Sequence, residues 1–160
     1  QPLLLDVSLL KKDCLLSQLR QCSRPLEARA LLVPVSVQVP LASVASMESC
    51  LEGLANVGFT FTWIEDQRLL VRSVPIMVAN LDIKAFILAV IQSHASEIEA
   101  IFQLLVEHQV LHAFSVTDME KQNWLAYLVS CETALQSHYI RALSAEQCRR
   151  FFRESSPVIG

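Results

Sequence analysis

Glycine is scarce in this chain, with 3 among 160 residues, and that scarcity removes a whole class of ligand sites. Neither GxGxxG nor a P-loop can be assembled, because both need several glycines where the backbone approaches a phosphate. Charge is thin as well: 18% of residues are Asp, Glu, Lys or Arg, and 13 cations against 16 anions leave a formal charge of −3. Such a chain lacks the clustered Lys and Arg that phosphate contacts demand, so this segment alone is not expected to hold DNA. Arg149, Arg150 and Arg153 form one local basic cluster, open to two readings, a nucleic-acid contact or a solvated helix face. Long apolar runs are missing too. Leu3–Leu5 and Ile83–Ile91 fall far below the roughly 20 residues that span a bilayer, and Asp6, Lys84 and Gln92 bound or interrupt them. The expectation is a soluble chain without a membrane partner. The 5 cysteines (Cys14, Cys22, Cys50, Cys131, Cys148) are odd in number and form no CxxC pair. They read as reduced thiols in a reducing compartment, most simply the cytosol. No charged stretch precedes an apolar one at the start, and the chain begins at Gln1 without Met, so it reads as a piece of a longer protein.

What is present is apolar: 52% of residues, in a length that can bury about 68–70% of its unfolded surface. Pro2–Ser8 reads as a buried strand, and Leu9–Gln21 carries Leu10, Cys14, Leu15 and Leu19 at helical spacing. Ser23–Arg24–Pro25 breaks that helix. From Ala30 to Val39 the period becomes two, with Val33, Val35, Val37 and Val39 alternating with polar residues and Pro34. Pro34 has no amide to donate, which places it at a sheet edge, a strand start or a bulge. Val44, Met47, Cys50, Leu51 and Leu54 predict a helix ending near Asn56–Gly58. Phe59, Phe61 and Trp63 then face one way and Thr60 and Thr62 the other; after a turn at Glu65–Gln67, Leu69–Val74 completes a hairpin. Helices are expected over Asp82–Gln92, Ser96–Val110 and Asp118–Leu135, the last capped by Thr117 or Asp118. A short helix follows Ser144, which has Gln147 at capping-box spacing. The order of elements fits an α+β architecture, with a βαββα layer inserted between flanks that must come together.

Sites of chemistry are hard to find. His108 and His112 lie four apart and would share a helix face, but EHQVLH puts no base between them, which excludes HExxH chemistry and leaves a polar helix end as the bland reading. No Ser sits in a GxSxG elbow. Glu97 and Glu99 point to different helix faces, and Glu65–Asp66 occupy a turn. The apolar residues say more: Phe102, Leu105, Trp124, Leu125, Leu128 and Leu135 form a surplus that either closes an internal core or meets a second copy.

Leu31–Leu32–Val33–Pro34, then Gly58–Phe59, then Val71–Arg72–Ser73–Val74–Pro75, together resemble the C-terminal domain of the MutL family of mismatch-repair proteins. Ser130–Cys131 with Ala134, and Leu143–Ser144 with Glu146–Gln147, resemble its late segment. The resemblance covers about residues 1 to 150. It implies two subdomains: a discontinuous dimerisation part, residues 1–28 and 95–160, and an external part, residues 29–94. It implies a homodimer, for which Trp124, Leu125 and Leu128 are the interface candidates. The family's ATPase, with its ATP and Mg, belongs to an N-terminal region outside this chain, so no cofactor is expected here. The implied partners are a mismatch-recognition protein, a strand-incision endonuclease, a helicase and the sliding clamp, with DNA met mainly through the full-length protein in the bacterial cytoplasm and nucleoid.

Many members carry a metal-dependent endonuclease with the signature DQHAxxExxxxE. Here Asp6 matches, but Ser8 or Leu9 stands for the His and Lys12 for the first Glu, so no metal site or catalytic residue is expected. Cys131 matches the late Cys, followed by Glu132 where the family has a basic residue. The chain therefore resembles the nuclease-less branch. The family's QxxLxP-like clamp contact falls on Arg29 to Pro34: Leu32 and Pro34 fit, while Arg29 replaces the Gln and weakens the match. The plainer reading makes Leu32 a core residue. Two further alternatives stand beside the dimerising module: an atypical nuclease using Asp6, Cys131 and a His, and an unrelated structural α+β domain.

Overall fold

The computed structural model describes residues 2–78, 80–110 and 116–154. The chain runs β1 (Leu3–Leu5), α1 (Val7–Gln21), β2 (Ala28–Gln38), α2 (Leu41–Asn56), β3 (Thr60–Glu65), β4 (Arg68–Pro75) and a 3-10 turn (Ile76–Val78). It continues through α3 (Ile83–Ser93), α4 (Ile98–Glu107), α5 (Asp118–Ser130), α6 (Thr133–Tyr139), β5 (Ile140–Ala142) and α7 (Ala145–Glu154). Mixed helices and two small antiparallel sheets make it α+β, as the element order implies. The chain divides into one unit of Gln1–Cys14 with Val116–Gly160 and one of Leu15–Ser115.

In the Leu15–Ser115 unit, β4 is the central strand of a sheet ordered β2-β4-β3. Its alternation buries Leu69 and Val71 beneath helices whose own apolar faces supply Met47, Cys50 and Leu54 from α2, Phe86, Ile87 and Val90 from α3, and Ile101, Phe102 and Leu105 from α4. Phe59 stacks between Phe61 and Phe86 at ring separations of 5.9 and 5.3 Å. Each such side chain contributes roughly 1.5–3 kcal/mol by leaving water. Phe102 and Leu105 thus belong to the internal core. Ser73 is the one buried polar residue among those described, and its hydroxyl donates to the Gly58 carbonyl at 3.0 Å and meets Thr60 Oγ1 at 2.8 Å, tying β4 to the start of β3.

Two helix ends fix the turns of this unit. After α2, the Phe59 amide donates to the Leu54 carbonyl and the Gly58 amide to that of Ala55, both at 3.1 Å, the paired bonds of a Schellman motif. Gly58 sits at φ 88°, and a Cβ there would lie 2.9 Å from the Leu26 carbonyl oxygen. After α3, His94 occupies the same left-handed region, φ 51°, with Ala95 donating to Val90. That turn delays α4 to Ile98, two residues later than the spacing predicts, and α4 stops at Glu107 rather than Val110.

In the other unit, β1 pairs with β5 (Leu3 opposite Ala142, Leu5 opposite Ile140). The strand read over Pro2–Ser8 is shorter, because Asp6 already caps α1 by accepting from the Leu9 amide at 2.9 Å. Thr117 and Glu120 form a complete capping box on α5, and the bonds from Thr117 hold the Glu120 carboxyl below its ordinary range. Ser144 and Gln147 exchange the same pair of bonds on α7. The single helix expected over Asp118–Leu135 is two helices. Cys131 turns extended, at ψ 147°, and the Gln136 side chain donates to the Leu128 and Cys131 carbonyls that the break exposes. A small core of Leu10, Cys14, Trp124, Leu128 and Tyr139 results. Burial, then donation of its hydroxyl to Asp13 Oδ2 at 2.7 Å, pushes Tyr139 well above the ordinary tyrosine range.

Gly58→Ala and His94→Gly are expected to move stability in opposite directions. The first forces a Cβ into the left-handed region, at about 1–2 kcal/mol, and into the Leu26 carbonyl; the second removes such a Cβ. Thermal unfolding should show the Gly58 variant about 2–4 °C or more below the parent and the His94 variant at or above it.

Alkaline stability tests the Tyr139 hydrogen bond. An unfolded tyrosine loses its proton near pH 10 while the folded Tyr139 keeps its own, so above about pH 10 the folded state binds more protons and stability falls as pH rises. Tyr139→Phe should cost about 0.5–1.5 kcal/mol at neutral pH and make urea midpoints decline less steeply on the alkaline side. Tyr127 and the thiols of Cys14 and Cys50, also raised by burial, contribute to the decline that remains.

Candidate docking and dimerisation site

β2 is an edge strand, and its ladder with β4 breaks between the pairs Ala30–Ser73 and Val35–Val71. Leu31, Leu32, Val33 and Pro34 fill that interval on β2, while β4 contributes Arg72 alone. A period-two reading carries straight through this stretch, but the extra residues cannot stay in register, and Pro34 has no amide with which to continue the ladder. Leu31 turns back and packs against the core; Pro34 is half-buried. Leu32 and Val33 project fully into solvent, so the reading of Leu32 as a core residue is corrected. Arg29 is exposed just before the break. Across from it, Arg72 Nε donates to Thr62 Oγ1 at 2.8 Å, while Val71, Val74 and Pro75 of the same motif are buried. The segment Leu31–Pro34 is thus a projecting apolar knuckle anchored at both ends.

α5 is apolar on two sides. Trp124 and Leu128 face the small core, with the Lys11 ammonium 5.8 Å from the Trp124 ring centroid. Of the three interface candidates, these two are therefore satisfied within the unit, and Leu125 is exposed. Met119, Leu125 and Val129 are 72%, 55% and 78% exposed, and at 3.6 residues per turn they fall within about 120° of arc, away from Trp124 and Leu128. Met119 and Val129 were not singled out by sequence reasoning, although two apolar arcs on one helix are the signal that finds them. Leu3 and Leu4 on β1, and Leu135 on α6, add exposed apolar surface to the same unit.

The residues that match the family's cutting signature are otherwise engaged or unsuited. The Asp6 carboxylate caps α1, Lys12 follows in the next turn with its cation, and Cys131 caps the end of α5. Among the described residues, no three His, Cys, Asp or Glu side chains lie close enough to share a metal ion. This donor set does not fit a divalent cation, which requires several carboxylate oxygens. His108 Nδ1 lies 2.8 Å from the Leu104 carbonyl, closing α4, and His112 lies outside the described residues. Glu99 pairs with Arg20, which holds its carboxyl below the ordinary range. Burial pushes the Cys14 and Cys50 thiols up, away from nucleophilic thiolate. No helix among the described residues is long and apolar enough to cross a membrane.

A comparison with curated proteins finds no match. A family model does match, over residues 3–116, described as the MutL C terminal dimerisation domain. That span runs from β1 through α4 and includes the knuckle, the Gly58 turn and the whole of β4. With well over half of its length matched, this chain belongs to the MutL C-terminal dimerisation domain family of DNA mismatch repair.

Proposed function

We propose that this chain is the homodimerising and partner-docking module of a mismatch-repair protein, holding two protomers together and passing the mismatch signal onward without cutting DNA itself. The observation that carries the reading is the outer arc of α5, where Met119, Leu125 and Val129 stand in water beside a core too small to need them. A second copy buries that arc at roughly 1.5–3 kcal/mol per large side chain. Asp6 as a helix cap and Lys12 in a carboxylate position support the nuclease-less assignment. Strand incision then falls to a separate endonuclease, and recognition of the mismatch and unwinding to other partners. Five free cysteines suit the reducing cytoplasm.

The knuckle is the proposed sliding-clamp contact. Leu32 and Val33 offer apolar side chains to a pocket, Pro34 stiffens the segment, and Arg29 stands where a Gln would supply an anchoring hydrogen bond, which makes the contact weak. No ATP or Mg site is proposed here, since those belong to the family's N-terminal region.

Sedimentation at micromolar concentration should give a dimer, and replacing Leu125 and Val129 by Glu should return the 17.9 kDa monomer. A parent chain that sediments as a monomer would remove the proposal. Manganese-dependent nicking abolished by Asp6→Ala would reverse its non-catalytic part.

For the clamp, substituting Leu32 and Pro34 by Ala should abolish retention on immobilised clamp while leaving the dimer intact, and Arg29→Gln should strengthen retention. Equal retention of all three chains would refute the contact.

A further inference from the structure

One face of α4, with the turn that leads into it from α3, borders an open hollow within the Leu15–Ser115 unit. Ala95, Ala100 and Leu104 supply its apolar lining, and Glu97 and Glu107 stand at the two ends of the helix face. His94 and Gln103 line it as well, but among the described residues no Lys or Arg does. The fold holds this surface in place. The opposite face of α4 buries Ile101, Phe102 and Leu105 in the core, and the turn is fixed by the left-handed His94 and the bond from the Ala95 amide to the Val90 carbonyl. On α2, Gly53 lets the same turn close in, since a Cβ there would lie 2.5 Å from the Ser96 carbonyl oxygen. A partner would meet a surface already ordered, which removes much of the cost of binding.

Neither glutamate serves α4 as a helix would require. Glu97 occupies the N-cap, where Ser, Thr, Asp or Asn would bond the first amides, yet its side chain makes no capping bond. Glu107 ends the helix, at the negative pole of the dipole, where an acid is unfavourable. Among the described residues neither carboxylate has an ion pair or a hydrogen bond, whereas Glu99, on another arc of α4, is held by Arg20. Glu97, Ala100, Leu104 and Glu107 lie at i, i+3, i+7 and i+10, the row on which a second helix packs. Ala100 is exposed and small, so a partner backbone can come close. At 1.5 Å per residue the two carboxylates are about 15 Å apart along the axis. That exceeds the ~8 Å screening length at physiological salt, so each calls for a cation of its own.

We propose that this face of α4 docks an amphipathic helix of a partner protein, one whose apolar stripe carries a Lys or Arg near each end, about three turns apart. The apolar stripe meets Ala100 and Leu104, and the cations meet Glu97 and Glu107. Charge favours such a partner beyond the hollow too: the Leu15–Ser115 unit holds six Lys and Arg against nine Asp and Glu, which steers a basic segment toward it. The site uses no residue of the clamp knuckle or of the α5 arc and depends on neither reading.

The test is fluorescence anisotropy of a labelled helical peptide of about fifteen residues, with Leu along one face and Lys at both ends, titrated with the 160-residue chain. Glu97→Gln with Glu107→Gln should weaken binding by about tenfold, the sum of two exposed ion pairs. Glu48→Gln with Glu52→Gln makes the same change of net charge at exposed positions of α2 and should alter binding by less than about twofold. Ala100→Arg should abolish binding, and a peptide with Glu in place of Lys should not bind. Thermal unfolding should place Glu107→Gln at or above the parent, which shows that its lost binding is not lost folding. Equal losses in the two double Gln variants would overturn the proposal, leaving only unspecific attraction to an acidic unit. So would failure of the Lys peptide to bind, or equal binding of the same peptide with a central Pro, which would point to an extended ligand. A dimer that becomes a monomer in the Glu97, Glu107 variant would assign the face to a second copy and overturn it as well.

Discussion

Among the described residues of the unit 1–14 and 116–160, few large side chains are buried, and the polar contacts there take on more of the work. Among its described residues, the small core comprises Leu10, Cys14, Trp124, Leu128 and Tyr139. Ordering the backbone of each residue costs roughly 1–2 kcal/mol, while a buried Leu or Trp returns roughly 1.5–3. A two-stranded sheet such as β1–β5 is marginal when nothing covers it. Polar contacts add a little: two capping boxes, the Asp6 cap and the Tyr139–Asp13 bond each contribute about 1 kcal/mol. A unit so built gains from any further apolar burial, and Met119, Leu125 and Val129 on α5 are large apolar side chains that it leaves exposed.

The other unit solves the opposite problem. Its core is closed by α2, α3, α4 and the last turns of α1 against a sheet whose central strand, β4, is paired on both sides. That security lets the edge strand β2 carry a disruption that a central strand would not tolerate. Open strand edges invite pairing with other chains, and a proline or bulge at the edge is one way to prevent it. Here the same irregularity that blunts the edge also lifts Leu32 and Val33 clear of the surface. Protection against indiscriminate strand addition and the projection of two apolar side chains come from one local geometry.

Legibility in the sequence tracked how local each determinant was. The hairpin of β3 and β4, the α3 helix and the Ser144–Gln147 box depend on residues within a few positions of one another, and periodicity finds them. β5 does not announce itself, because Ile140–Ala142 is three residues long and becomes a strand only through Leu3–Leu5, far away in sequence. The break at Cys131 was equally hidden: it is stabilised by the side chain of Gln136 reaching back to two carbonyls, which no helical period reveals. The knuckle was legible as a motif and illegible as geometry. Alternation in Val33, Val35, Val37 and Val39 suggests one continuous strand face, yet Val37 and Val39 are buried while Val33 is in water, since the register shift resets the faces between them. Trp124 and Leu128 show the same limit from the other side. Apolar composition marks Trp124, Leu125 and Leu128 as a surplus, but only the packing of Leu10 and Tyr139 decides which of them are met internally.

Asp6 illustrates why a matching residue is not a matching site. Of the family's cutting signature, it is the acid that stays when its neighbours are replaced. In the fold it has a separate occupation, accepting the Leu9 amide at the first turn of α1. An N-cap carboxylate contributes about 0.5–2 kcal/mol and is favoured again by the positive end of the helix dipole. The structural demand on Asp6 is therefore complete without a metal, whereas position 12, inside the helix, carries no capping demand. At this helix start the carboxylate is already engaged by the backbone, and Lys12, one and a half turns later, places a cation rather than an acid beside it in sequence.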